Sequence, residues 1–239
     1  MVIGFKKYGQ QGGATGFTGS AKTARRKRAG SVAVVLAFAL IGAALTAPAA
    51  SARPVAPSGA TSTNNCVVAL TPGKAKAAST NCYANFTEAI SAASGGAIAN
   101  APANAADAVQ DPNFRSQLDT SAGRLSGKAA AAPGVYSGYV LSIEYDLANY
   151  GGISLIFTGT APCTASLGNV DYQYTIPSTS FWRDRISSFQ TFSNAVCWVD
   201  HFYNYNYGLP HTGYTSSRAS LPTLAGVNFN NNTRSLRWT

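Results

Sequence analysis

The sequence predicts a mainly β protein, a two-sheet antiparallel sandwich built from a duplicated unit. An apolar leader and a short, partly helical extension precede it. Three observations predict this. An aromatic, four residues, a second aromatic and a turn occur twice, as Tyr145-Asp146-Leu147-Ala148-Asn149-Tyr150-Gly151-Gly152 and as Phe202-Tyr203-Asn204-Tyr205-Asn206-Tyr207-Gly208-Leu209, 57 positions apart. Each copy is followed by a polar loop, Arg183-Asp184-Arg185-Ile186-Ser187-Ser188 or Asn231-Asn232-Thr233-Arg234-Ser235-Leu236, 48 positions apart when aligned in this way. An ordered pair of features repeating at nearly one period signals internal duplication. The stretches around these features alternate with a period of two, as strands do.

Residues 1–52 read as a secretory signal peptide. Lys22, Arg25, Arg26, Lys27 and Arg28 form a basic region, Ser31 to Leu45 an apolar run, and Ala50-Ser51-Ala52 a small-residue cleavage site. The apolar run is short for a membrane span. This segment also distorts the composition. The chain carries 18 basic and nine acidic residues. Seven of the basic residues and none of the acidic ones fall before residue 53, so the rest is close to electrical balance. That excludes the charge argument for nucleic acid or an anionic membrane as partner. The mature chain is expected outside the cell, with no membrane attachment after cleavage.

Residues 53–133 are expected as an Ala-rich, partly helical or disordered extension. Residues 53–65 are Pro-, Ser- and Thr-rich without an apolar period. Val67–Leu70 is a strand candidate, closed by the turn Thr71-Pro72-Gly73. Phe86, Ile90 and Ala93 share a helical face, and Gly95-Gly96 stops that helix. Short helical patterns follow around Ala103–Val109 and Pro112–Leu118. Few large apolar residues occur here, so little buried surface is expected.

The character changes at Gly134, and residues 134–239 form the expected β domain. Tyr139, Leu141, Ile143 and Tyr145 alternate with Val140, Ser142 and Glu144; Ile153, Leu155 and Phe157 alternate with Ser154, Ile156 and Thr158. Val170–Thr175, Ser188–Phe192, Val196–Phe202, Tyr214–Ser216 and Leu236–Trp238 are the further strand candidates. Aromatics at each end of a tight turn stack across it, and Gly152 supplies the positive φ such a turn needs.

Cys66, Cys82, Cys163 and Cys197 make an even count, which in a secreted chain indicates two disulfides with three possible connectivities. Pairing within composition regions gives Cys66–Cys82 and Cys163–Cys197. Catalytic signatures are lacking. The two histidines, His201 and His211, fit neither a Gly-x-Ser-x-Gly elbow nor a His-x-x-x-His metal pattern, and read as surface residues. Asp200 and His201, adjacent in a strand, point to opposite faces. Tyr203 and Tyr205 have two readings: cover for the sheet edge, or a contact surface for a protein or glycan.

The Tyr145–Tyr150–Gly152 corner, repeated in Phe202 and Tyr207, resembles that of the βγ-crystallin superfamily, and most of all its secreted bacterial branch of peptidase inhibitors and killer-toxin-like proteins. The resemblance covers roughly residues 136–239; at the second corner Leu209 stands where the family has Gly. It implies two Greek keys in one sandwich and no enzymatic activity. It also implies calcium, with Asp184, Arg185 and Ser187 of the first loop and Asn232, Thr233 and Ser235 of the second in the ligand positions, and with carbonyls near Ala148 and Tyr205. Calcium suits such hard oxygen donors. Arg183 and Leu236 depart from the family's loop. The competing reading is that both loops only cap their own turns. The alternative function is a peptidase inhibitor or toxin-like module that binds a secreted protease or a cell-surface component. Its candidate loops are Gly208-Leu209-Pro210-His211 and Ala161-Pro162-Cys163-Thr164.

Overall fold

The computed structural model describes residues 64–125, 138–193 and 195–239. The expected signal peptide, residues 53–63 and the join around 126–133 lie outside the described residues. The strands are β1 (Asn65–Leu70), β2 (Ala77–Tyr83), β3 (Tyr139–Tyr145), β4 (Ser154–Gly159), β5 (Tyr172–Thr175), β6 (Ser188–Thr191), β7 (Val199–Phe202), β8 (Ser217–Arg218), β9 (Thr223–Leu224), β10 (Val227–Asn228) and β11 (Ser235–Trp238). The helices are α1 (Phe86–Ala93), α2 (Ala105–Gln110) and α3 (Pro112–Leu125).

One sheet has the order β2-β1-β4-β3-β6-β8, and a second has β5-β11-β7. Bridges from Val199 to Thr215 and from Phe202 to His211 extend the second sheet by the segment 211–215. The topology is that of two interlocked Greek keys. In the first, β3, β4 and β6 share a sheet, while β5 crosses to pair with β11. In the second, β7, the segment 211–215 and β11 share the other sheet, while β8 crosses to pair with β6. Each unit lends its third strand to its twin, so neither sheet is complete alone.

Alternation alone would put Leu141 on one face with Ile143 and Tyr145. A bulge between Val140 and Ser142 breaks it. Leu141 therefore joins Leu155, Phe157, Phe189, Leu236 and Trp238 between the sheets, while Val140, Ile143, Tyr145 and Ile156 face the other way. Both faces of the larger sheet are buried, so its strands carry apolar residues in runs rather than strict alternation.

The second face is buried by the segment expected to pack loosely. β1 lies parallel to β4 and antiparallel to β2, extending the sheet by two strands. Asn85 caps α1 by accepting the Glu88 N–H. Phe86, Ala89, Ile90 and Ala93 of α1, with Ala105, Ala108 and Val109 of α2 and Phe114 and Leu118 of α3, form one cluster with Val140, Ile143 and Ile156. Here alanines let helix backbones approach closely, so burial does not require large side chains. The packing runs across the expected boundary at 133/134. Cys66 is bonded to Cys82 across the β1–β2 ladder, and Cys163 to Cys197.

Candidate functional site

Both aromatic corners adopt one geometry. Tyr145 and Tyr150 meet edge-to-face at 5.7 Å and 77°, Phe202 and Tyr207 at 5.8 Å and 81°. In each corner an Asn and a Tyr are left-handed in succession: Asn149 and Tyr150 at φ 56° and 63°, Asn206 and Tyr207 at 54° and 64°. Asn tolerates this region, whereas Tyr enters it at a cost. A serine latch holds it there. Ser188 Oγ donates to Leu147 O and accepts the Tyr150 N–H; Ser235 Oγ donates to Asn204 O and accepts the Tyr207 N–H.

The latch corrects the register of the loops. Ser235 matches Ser188, not Ser187, so the loops lie 47 positions apart rather than 48. Asp184 then matches Asn231, and both are left-handed, at φ 54° and 59°. The two loops pair reciprocally: Asp184 N–H donates to Thr233 O and Asn231 N–H to Ile186 O. Ser187 matches Arg234. Two loop–corner junctions result, related by this pseudo-symmetry and differing in chemistry.

At the first junction Ser187 Oγ lies 2.8 Å from Asp146 O and 2.9 Å from Asn231 Oδ1. Beside it is a cavity lined by Asp146, Leu147, Arg183, Asp184, Arg185 and Asn231. Asp146 Oδ1 accepts the Ile153 N–H at 2.8 Å. Burial pushes the Asp146 carboxyl above its ordinary value, against the pull of the Ile153 N–H and of Arg185. Arg185 is drawn aside, with its guanidinium 4.1 Å from the Phe181 ring centre.

At the second junction Tyr203 stands for Asp146, Arg234 for Ser187 and Asp184 for Asn231. Arg234 Nε donates to Asp184 Oδ1 at 3.0 Å, and Arg183 pairs with Asp184 Oδ2 at 3.3 Å. The Arg234 guanidinium lies 4.9 Å from the Tyr203 ring centre, and that of Arg183 5.3 Å from Tyr205.

The expected ligand residues are therefore divided. Ser187 is at the first junction, Asp184 at the second, and Arg185 on the rim of the first. Asn232 caps a turn, donating to Asn228 O and Asn230 O. Thr233 is buried and offers its carbonyl to Asp184, and Ser235 is a latch. The corner carbonyls that meet the loops belong to Asp146, Leu147 and Asn204, not Ala148 and Tyr205. Sequence reasoning missed Asn231, Asp146 and Arg234. Aligning the apolar Phe189 with Leu236, each directly after its serine, would have found the register.

Donor chemistry decides which junction fits calcium. The first presents a hydroxyl, a backbone carbonyl and an amide oxygen with the Asp146 carboxylate beside them; Arg183 and Arg185 also line its cavity, but Arg183 is paired with Asp184 and Arg185 lies over Phe181, so the oxygen set fits. The second presents two guanidinium groups to its single carboxylate and does not fit. Among the described residues no three His, Cys, Asp or Glu side chains gather to hold a metal.

Two further polar pairs lie elsewhere. His201, expected on the surface, is fully buried between the sheets, with Nε2 3.0 Å from Glu144 Oε2. Ser142 Oγ donates to Glu144 Oε1 and accepts the Trp238 indole N–H. No substrate reaches this pair without parting the sheets. On the opposite face of β7, Asp200 accepts from His211, which stacks on Phe202, and from the Thr212 hydroxyl.

The fold and junctions together define a double Greek-key sandwich with paired loop–corner sites. No protein-family model matches this chain, and no curated protein matches it. Among solved structures it is similar to variants of a βγ-crystallin domain from Clostridium beijerinckii. A threonine-to-arginine variant and a double threonine-to-serine variant each align at 24% identity and TM-score 0.28, covering 41% of this chain and 95% and 94% of theirs. A tryptophan-to-aspartate variant aligns at 21% identity and TM-score 0.25 over the same share of this chain.

Proposed function

We propose that this is a secreted, non-enzymatic βγ-crystallin-like protein that holds one calcium ion at the first loop–corner junction. The observation that carries the reading is the environment of Ser187. Its hydroxyl has one proton and faces two acceptor oxygens, Asp146 O and Asn231 Oδ1, within 2.9 Å. A hydroxyl, a backbone carbonyl and an amide oxygen gathered this closely are donors of the kind a hard cation accepts. Neutral donors dominate, so affinity belongs in the weak range of extracellular modules, a Kd of about 10⁻⁴–10⁻³ M. Calorimetric titration of the mature protein with calcium chloride tests this. One equivalent should bind, and Ser187→Ala and Asn231→Ala should each remove it. Absence of both binding heat and a calcium-dependent rise in Tm refutes the reading.

A second reading, a peptidase inhibitor or other protein-binding module, is favoured by the loop at Ala161–Thr164. Ala161, Pro162 and Thr164 are exposed, yet the backbone is fastened at both ends. Tyr172 Oη accepts the Ala161 N–H and donates to Ala161 O, Cys163 is tied to Cys197, and Asp171 accepts from Thr164. A rigid exposed loop lowers the entropic cost of binding. Inhibition assays against secreted serine and metalloproteases distinguish this from the first reading; no inhibition at micromolar protein sets it aside.

A further inference from the structure

We infer that the second junction carries its own cation: the Arg234 guanidinium does there the work a metal ion would do, and closes that site to metals. Three observations converge. The pseudo-symmetry fixed by the serine latches superposes Arg234 on Ser187 and Asp184 on Asn231. In place of the Ser187–Asn231 oxygen pair, Arg234 Nε bonds Asp184 Oδ1 at 3.0 Å. The same guanidinium lies over Tyr203 and, at 5.8 Å, over Tyr205, two of the three tyrosines of the second corner. It thereby joins both loops and the second corner, the three parts that meet in this junction.

The charges point the same way. Asp184 is the one carboxylate in the two loops, and Arg183 holds its other oxygen. A divalent ion entering here would displace Arg234 from Asp184 and bring its charge against two guanidinium groups. Cation–π contact and the ion pair are each modest at a half-exposed site. The guanidinium is covalently part of the chain, however, so it is present at every metal concentration. The two halves of the protein should then differ: the first junction can respond to calcium, while the second is constitutively filled. This inference concerns Arg234 and Asp184 and stands whether or not calcium binds at the first junction.

The test compares wild type, Arg234→Ser and Asp184→Asn as full mature chains. Melting is followed with chelator and with added calcium chloride, and calcium equivalents are counted by calorimetry. In chelator, Arg234→Ser should lower Tm by about 2–4 °C. Calcium should restore that loss and add one equivalent beyond the wild-type count. Should Arg234→Ser fail to fold, Asp184→Asn reads the same clamp from the other side, with a similar loss in chelator and no gain in calcium beyond the rise that wild type shows. An unchanged Tm in chelator for whichever variants fold overturns the inference, as does a wild-type chain binding two equivalents, or a folded Arg234→Ser binding no more than wild type. If wild type binds no calcium but Arg234→Ser binds one, the proposal for the first junction fails and this one holds.

Discussion

Gly152 shows how narrowly a corner is specified at the level of one residue. Its φ is +79°, a region costly for any side chain. A Cβ built there would lie 1.9 Å from Asp146 Oδ1, the oxygen that accepts the Ile153 N–H. Gly152→Ala should therefore strain the backbone and displace Asp146 from the first junction. A loss of about 2 kcal/mol or more is expected, read by denaturant unfolding; stability within error of wild type counts against this account. At the equivalent position Leu209 is exposed and precedes a cis peptide to Pro210. Its carbonyl accepts from Asn204 and the Pro210 carbonyl from the Tyr203 N–H, so the second turn closes by other bonds. The departure at Leu209 changes the local solution and leaves the aromatic stack intact.

Single residues also mark where reading the sequence stopped working. The two corners were legible because an aromatic pair at fixed spacing, followed by Gly, has few physical uses. The loop register was not, because Ser187-Ser188 offers two serines where the second loop offers one. His201 looked like a surface residue because its partner Glu144 is far away in sequence. Their separation of 57 is the corner repeat itself, so the pair joins equivalent positions of the two keys, and that period was the available signal.

At the scale of elements, this Glu144–His201 pair ties β3 of one sheet to β7 of the other. Both side chains are fully buried, and Phe189 packs on the imidazole at 4.4 Å between ring centres. Removing one partner leaves the other polar group buried without that bond. His201→Ala should cost about 3–5 kcal/mol, whereas replacing both, as Glu144→Leu with His201→Phe, should cost far less. Unfolding curves of the single and double variants check this; a double variant no more stable than His201→Ala alone would show that the pair is not the cause. Strand legibility follows exposure. β2 was missed because Ala77-Ala78-Ser79-Thr80-Asn81-Cys82-Tyr83 is a mostly exposed edge strand without an apolar stripe. The burial of α1 and α2 was underestimated because alanines do much of it, and the bulge at Leu141 left no mark in the pattern.

At the scale of the whole molecule, the chain is rich in tyrosines that the fold keeps neutral. Burial raises the Tyr145 hydroxyl well above its ordinary value, with Glu144 adding to it. Burial is also the largest cause of the rise at Tyr172, Tyr174, Tyr207 and Tyr214. Unfolded tyrosines ionise near pH 10. Above that pH the unfolded chain has released protons that the folded chain still holds, so stability falls as pH rises. Tm should decline from about pH 10 upward. Tyrosinate absorbance should lag behind that of the denatured protein. A Tm unchanged to pH 11.5 rules this out.

β1 lies parallel to β4, with Asn65 bonded to Ser154 across 89 positions of chain. Its ladder with β2 is local, but its ladder with β4 forms only once that far later strand exists. As the polypeptide is made, Val67, Val68 and Leu70 emerge with only β2 to pair with. Until β4 is in place they form a short apolar, β-prone run of the kind that associates with copies of itself. The segment that seals one face of the finished sandwich is therefore also its hazard before completion. The β1–β2 hairpin can therefore join the sheet only after β4 has been made.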